Sequence, residues 1–332
     1  MAFVSTLRRV HLAMGLLLMA ASISLSAQIA PLRLVSTAWS PFTNDPGRPR
    51  IATDLVDAAL DRMGIKTATT IVEPNAFTTS LLGGMFDGTA AAWKDAERER
   101  VLLYSDPYLE NRLVLIGRKG ADVSASSLST LAGKRVAIVG GYAYGDIEGT
   151  GPAFVRSKGE EDSLTLLLKG DADYALMDEL VVQYLVEQYA NEAQAKLQLG
   201  STPLVTRQLY LAIQRSRPDA ESIIRRFNTE LRGMMTDHSY NKLLHVQWVR
   251  ADVDGDGIYE YIPASDRAGR NEPTQAYAVH SAAPATEAQP KHFYVGGNIY
   301  SQWANVPARY KVDDPQLPDS RRSTGTLFTF VW

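Results

Sequence analysis

Three short stretches of the 332-residue sequence hold side chains whose types and spacing suit chemistry. In "DAERERVLLYSDPY" two arginines, Arg98 and Arg100, stand among acids just before an apolar, aromatic run. A guanidinium fork can grip a carboxylate through two parallel hydrogen bonds, which a lysine cannot do. The same residues also suit a solvated helical turn. In "LLKGDADYALMDE", Asp178 closes an apolar run and precedes "ELVVQYLVEQ". There it can cap a helix or accept hydrogen bonds from a ligand ammonium, and the two roles are compatible. In "ADVDGDGIYEYIP", Asp252, Asp254 and Asp256 alternate, Gly257 follows, and Glu260 comes three residues later. Alternating carboxylates in a glycine-bent loop suit a hard cation that takes six or more oxygens; an acidic turn without metal is the plainer reading. Nothing in the sequence has Ser-His-Asp spacing, a nucleophile elbow or a phosphate-binding loop. The five histidines are scattered; His238 and His245 are read as structural.

The elements around these stretches alternate. "LRLVST", "KTATTIVEP", "RLVLIGRKG", "KRVAIVGG", "ADYALMD" and "QLYLAIQR" read as strands. "IATDLVDAALDRMG", with Leu55, Ala58 and Ala59 at helical spacing and Gly64 as its stop, reads as an amphipathic helix. "AFTTSLLGGMFDG", "DSLTLLLKGD", "ELVVQYLVEQYA" and "PDAESIIRRFNTELRGMMTD", which Pro218 opens, complete the helices. Strand–helix alternation predicts an α/β fold with mostly parallel sheets. The serine-rich stretch 121–133 and the weakly periodic stretch 195–207 bracket an inserted central lobe. Residues 264–292, rich in Ala, Pro, Ser, Thr and Gln, read as a linker or loosely packed tail. "YVGGNIYSQW" and the closing "GTLFTFVW" regain strand-like residues.

Composition narrows the class. An apolar share of 45% supports a real core, and no basic stripe points to nucleic acid. Arg8 and Arg9, the apolar run "LAMGLLLMAASISLSA" and the small residues before Ala27 predict a cleaved secretory signal over 1–27. Losing Arg8 and Arg9 takes the formal charge from −3 to −5. The sequence has no cysteine, so disulfides, thiolate chemistry and a lipid-modified cysteine are excluded. A free periplasmic protein is the simplest expectation.

The element order and four motifs resemble the family 3 extracellular solute-binding proteins, periplasmic receptors that deliver polar amino acids to ABC importers. The resemblance covers about residues 31–248. In "TAWSPFTND", Trp39, Pro41 and Phe42 fill the place of the aromatic segment that walls the family's ligand. Aligning "YSDPY", residues 104–108, with the family's Phe-Ser-x-Pro-Tyr puts Arg98, and not Arg100, at the arginine that grips the ligand carboxylate. In "GKRVAIVGGYAYGD" the strand runs into a turn at Gly140, Gly141 and Tyr142, where the resemblance implies that backbone N–H groups face the ligand; Tyr142 or Tyr144 stands in for the family's missing hydroxyl donor. The fourth motif places Asp178 at the ammonium. Two departures stand out: Asp95 replaces the usual Thr, and Trp93 and Lys94 replace small residues.

The resemblance implies a two-lobed type II periplasmic-binding fold with two hinge crossovers and a C-terminal extension. Lobe 1 would comprise 28–113 and 208–248, and lobe 2 would comprise 114–207. An acidic, calcium-binding loop would occupy 249–263 and the extension 264–332. The implied function is capture of an amino acid or related carboxylate for an ABC permease, with Trp39, Phe42, Trp93, Asp95, Arg98, Gly141, Tyr142 and Asp178 around the ligand. No cofactor is required; a structural Ca²⁺ would be held by Asp252, Asp254, Asp256 and Glu260. The loop itself resembles EF-hand and dockerin-like calcium loops, departing at the twelfth position, Pro263. An enzyme on the same scaffold, similar to cyclohexadienyl dehydratase, is the alternative, with Lys94, Asp95 or Glu179 as acid or base. A sensory or scaffold role for the tail is a third reading.

Overall fold

The computed structural model describes residues 31–244, 246–274, 276–278 and 291–314. The signal predicted over 1–27, His245, His280 and the terminal "LFTFVW" lie outside the described residues.

The chain builds one large mixed sheet in the order β2-β1-β3-β9-β5-β8-β6-β7, with β4 also pairing β9. Its first part consists of β1 (Leu32–Thr37), β2 (Thr67–Val72), β3 (Gly88–Ala92) and β4 (Leu102–Tyr104). Its second part consists of β5 (Leu109–Arg118), β6 (Arg135–Val139), β7 (Ala153–Ser157) and β8 (Tyr174–Asp178). Strand β9 (Leu197–Gln214) belongs to both parts. It pairs antiparallel with β3 and β4 through its C-terminal residues Tyr210–Gln214 and with β5 from Leu209 back to Leu197. The β1–β2, β1–β3, β6–β7 and β6–β8 pairs are parallel, whereas β9 and the β5–β8 pair run antiparallel. Each part thus has a parallel core, β2-β1-β3 in the first and β8-β6-β7 in the second, and the antiparallel pair β5–β9 crosses between them.

The weakly periodic stretch expected over 195–207 is in fact strand. Gly200, Ser201 and Pro203 blur its pattern, but β5 pairs with it through register shifts at Leu113/Val114 and Val114/Ile116. A bulged strand shows no clean alternation. β3, "GTAAA", also lacks β-branched residues apart from Thr89, yet all five positions are buried.

Helices cover the layers. α1 (Ile51–Arg62) buries Ala52, Leu55, Val56, Ala59 and Leu60, and Gly64, at φ +75°, ends its turn. α2 (Pro74–Leu82) has Pro in its first turn. α3 (Glu160–Lys169), α4 (Glu179–Gln188) and α5 (Ala190–Lys196) flank the second layer. α6 (Ala220–Thr236) buries Ile223, Phe227, Leu231 and Met234 at helical spacing and is followed by α7 (Ser239–Leu244).

Beyond Trp248 lies a second small sheet; of the stretch 264–292, expected as a linker or loosely packed tail, residues 264–274, 276–278 and 291–292 are described. β10 (Trp248–Ala251), β11 (Glu260–Pro263), β12 (Tyr277–Ala278), β13 (His292–Val295) and β14 (Asn298–Tyr300) form a separate five-stranded sheet. Trp248, Tyr261, Ala268, Phe293, Val295 and Val306 bury a second small core, with Trp303 packed edge-on to Trp248 and Phe293. The Ala268 N–H donates to Tyr310 O at 2.8 Å and the Gly269 N–H to Val312 O at 3.1 Å, closing the module on its own end. Strands of two to four residues are too short for their alternation to be legible.

Candidate functional site

The loop after β1 is held by its own backbone. Trp39 N–H donates to Thr43 O at 2.8 Å, and Phe42 N–H to Trp39 O at 2.8 Å. The carbonyls of Pro41 and Phe42 then accept the first free N–H groups of α1. This fixes Trp39 at the layer's edge. Phe42, expected to face a ligand, is fully buried beneath Trp39 at a ring distance of 4.5 Å. Its apolar ring is better placed in the core, where it backs the indole.

The turn before β4 positions Arg98. Asp95 Oδ1 accepts the Arg98 backbone N–H at 2.8 Å, and Asp95 Oδ2 stands 3.2 Å from Arg98 Nε. "YSDPY" anchors the turn: Ser105 N–H donates to Leu211 O at 2.9 Å, Tyr108 N–H to Leu209 O at 3.0 Å, and the Tyr108 hydroxyl to Ala90 O at 2.5 Å. Arg98 is only 5% exposed, and its Nη2 donates to Thr78 Oγ1 at 3.3 Å and to Gly141 O at 3.2 Å. No described residue takes a hydrogen bond from Nη1. Arg100, by contrast, is exposed.

Gly141 and Tyr142 come from the turn after β6, in the second layer. Gly141 has φ +82°, and a Cβ there would meet Pro74 O of α2 at 3.3 Å. Glycine is therefore favoured by its conformation, and the close approach of the two layers leaves a Cβ little room. Tyr142 lies 5.5 Å from Trp39 and 5.8 Å from Trp93, and Tyr144 lies 5.4 Å from Trp93. Trp39 and Trp93 meet edge-on at 5.5 Å. Arg207 of β9 holds this turn by donating from Nη2 to Ala143 O at 2.7 Å. Trp39, Trp93, Arg98, Phe77 and Tyr142 line a cavity of about 30 Å³, room for about one water molecule.

Asp178 ends β8 and caps α4. Its Oδ1 accepts from Leu180 N–H at 2.8 Å, and its Oδ2 accepts from Asn111 Nδ2 and Arg112 N–H at 3.0 Å each. Asn111 in turn takes the Trp93 indole N–H at 2.7 Å. Asp178 is buried, and burial pushes its carboxyl up to about 7 against these donors. It does not line the cavity.

Glu160, at the start of α3, was not apparent from the sequence, where it reads as an ordinary first-turn acid. Burial and the Asp178 charge push it up to about 8. The buried Trp39 Nε1 makes no hydrogen bond of ordinary geometry, yet it acts on the Glu160 carboxyl and favours its ionised form. Glu160 also bears on both Tyr142 and Tyr144, whose hydroxyls burial raises far above the usual value.

The remaining ionisable candidates are engaged elsewhere. Lys94 lies 4.8 Å from the Tyr210 ring and 3.8 Å from Glu99. Glu179 is buried 3.5 Å from Arg112 Nε, and burial pushes it up to about 7.

In the C-terminal module, carboxylate oxygens of Asp252, Asp254 and Glu260 lie within 4.8 Å of one another. Asp256, expected with them, is outside this group and accepts the Ile258 N–H at 2.7 Å.

Comparison with known proteins gives three findings. Residues 35–251 match the family described as bacterial extracellular solute-binding proteins, family 3. No curated protein matches the chain. Solved structures share the fold. Holo ArgBP from T. maritima is 25% identical with TM-score 0.51, covering 61% of this chain and 89% of that one. An ancestral arginine-binding protein bound to arginine is 21% identical with TM-score 0.55, covering 65% and 97%. The GluR0 ligand-binding core from Nostoc punctiforme with L-glutamate is 19% identical with TM-score 0.54, covering 64% and 97%.

Proposed function

The chain belongs to the bacterial extracellular solute-binding proteins, family 3, and from that premise we propose that it captures an amino acid or a related small carboxylate between its two lobes. The observation that carries this reading is Arg98. Its guanidinium is buried at the junction of the layers, keeps Nη1 free of described protein partners, and lines the cavity together with Trp39, Trp93 and Tyr142. A charge-assisted pair of hydrogen bonds to a carboxylate is worth about 1.5–3 kcal/mol per bond. Two such bonds make up a large part of the roughly 8 kcal/mol of micromolar binding. The similar structures of an ancestral arginine-binding protein bound to arginine and of the GluR0 core with L-glutamate support an amino-acid-like ligand.

In this arrangement Arg98 takes the carboxylate, and an arriving ammonium would draw the nearby Glu160 and Asp178 carboxyls, raised by burial to about 8 and 7, toward their ionised forms. The aromatic rings wall the ligand body. Ligand pockets are typically 300–1,000 Å³, so the 30 Å³ cavity must widen to admit an amino acid. Entry requires Gly141 to leave Arg98 and Tyr142 to leave the two indoles, a movement that the β5–β9 crossing permits by hinge bending. Asp95, salt-bridged to Arg98, tempers the cation and disfavours ligands of high negative charge. The filled, closed receptor would then pass its cargo to an ABC permease from the periplasm.

The test is a calorimetric and thermal-shift screen of the chain, without its first 27 residues, against amino acids and small carboxylates. At least one should bind at micromolar Kd with a negative heat-capacity change, and Arg98→Ala should weaken it by 100-fold or more. If no ligand binds, or Arg98→Ala leaves every affinity intact, the reading is wrong.

A further inference from the structure

The second core holds a feature that solute capture does not use. Glu260 sits on β11, paired in register with Ala251 of β10 and His292 of β13, and is only 1% exposed. Its Oε2 accepts the Val253 N–H at 3.0 Å, while its Oε1 is buried without a hydrogen-bond partner. A buried carboxylate oxygen with no donor is costly, and a fold rarely retains one without a counter-charge. The groups drawn up beside it are not donors but two more acids, Asp252 and Asp254.

The loop backbone holds these acids in place. Asp252 Oδ1 accepts the Gly255 N–H at 2.6 Å, and its Oδ2 accepts the Gly257 N–H at 2.9 Å. Gly255 and Gly257 have φ +82° and +86°, a conformation that only glycine adopts readily. Three carboxylates drawn together, one of them buried with an orphaned oxygen, repel one another unless something positive sits between them. Among the described residues, no Lys or Arg forms an ion pair with Asp252, Asp254 or Glu260.

We propose that the loop Asp252–Glu260 is a calcium site, with Asp252, Asp254 and Glu260 as carboxylate ligands and backbone and water oxygens completing the shell. The donor set is all oxygen, which suits a hard cation rather than zinc or copper. An irregular loop that offers three acids suits the flexible geometry of Ca²⁺ better than the strict octahedron of Mg²⁺. The ion closes the β10–β11 hairpin, from which Trp248 and Tyr261 enter the second core. It therefore consolidates the whole C-terminal sheet. Affinity on the order of 10⁻⁴ M is enough in an extracellular setting. The proposal does not depend on the solute reading.

The experiment is calorimetry and thermal unfolding of the chain, without its first 27 residues, after EGTA treatment and titration with CaCl₂ or MgCl₂. One Ca²⁺ should bind and raise Tm by several degrees, and Mg²⁺ at equal concentration should do less. Glu260→Gln keeps the acceptor for Val253 N–H and should abolish the calcium-dependent rise. Should that variant fail to fold, Asp254→Asn, at an exposed position, should weaken Ca²⁺ at least tenfold. An unchanged Tm with CaCl₂ and EGTA overturns the proposal, as does an equal response to Mg²⁺. A calcium response that survives Glu260→Gln or Asp254→Asn does so too.

Discussion

Arg98 reaches across the cleft to Gly141: its Nη2 stands 3.2 Å from the glycine carbonyl oxygen, joining the two layers of the fold through one guanidinium. The same group that is proposed to grip a ligand would thus also latch the proposed closed form. A ligand carboxylate would exchange one acceptor for another, so closure with and without ligand can share a geometry.

Arg98→Lys should not substitute for the arginine. An ammonium cannot serve Asp95, Thr78 and a carboxylate at once in the planar pattern that the fork provides. Affinity for the screened ligand should fall at least tenfold, about 1.4 kcal/mol, with Tm changed little. Calorimetry of the variant checks this.

Gly141→Ala should destabilise the chain by about 1–3 kcal/mol, the cost of a non-glycine residue held at positive φ. Its Cβ would also press on Pro74 O, across the junction of the two layers, and would favour their separation. The variant should therefore have a larger radius of gyration in solution scattering as well as a lower Tm.

Stability should fall with rising pH between about 5 and 8. Asp178, Glu179 and Glu160 have carboxyls raised to about 7, 7 and 8, chiefly by burial. A carboxyl raised on folding binds its proton more tightly in the folded state. Its stabilising contribution is complete below the unfolded value near 4 and is lost as pH climbs through the folded value. Tm should drop by on the order of 5 °C across this window. Glu160→Gln should flatten the upper part of the curve, near pH 8. Thermal scans of both proteins in one buffer series measure the difference.

Tyr277→Phe should loosen the tail's attachment. The Tyr277 hydroxyl donates to Glu110 O of β5 at 3.0 Å, tying the C-terminal sheet to a crossing strand. Losing that bond costs about 1 kcal/mol. Amide exchange in β5 near Glu110 should quicken, and mass spectrometry after deuterium labelling reads it.

Much of this was legible in the sequence, and the rest was hidden for identifiable reasons. The "YSDPY" register separated Arg98 from Arg100 through its likeness to the family's Phe-Ser-x-Pro-Tyr, and Ser105 and Tyr108 pin the turn that carries Arg98. Asp178 was recognisable as a cap because a strand end and a helix start leave only one place for it. Its saturation by Asn111 and Arg112 was hidden, since those donors come from 66 or more residues away. Glu160 and Arg207 were hidden for the same reason: each acts across sequence distance, on Trp39 and on Ala143. The C-terminal sheet was obscured by its composition, because a core built from Trp248, Phe293, Trp303 and Val306 leaves no periodic trace.

The 18-residue strand β9 runs without a break from one layer into the other, beside β5, and the register slips cluster at Leu113–Ile116. Two joined ribbons with one soft spot behave as a leaf spring. They resist twisting and sliding and yield in a single flexing direction. In the proposed opening, travel would thereby be confined to one coordinate, and an engaged solute would work against a restoring force set by that spot rather than by a slack tether.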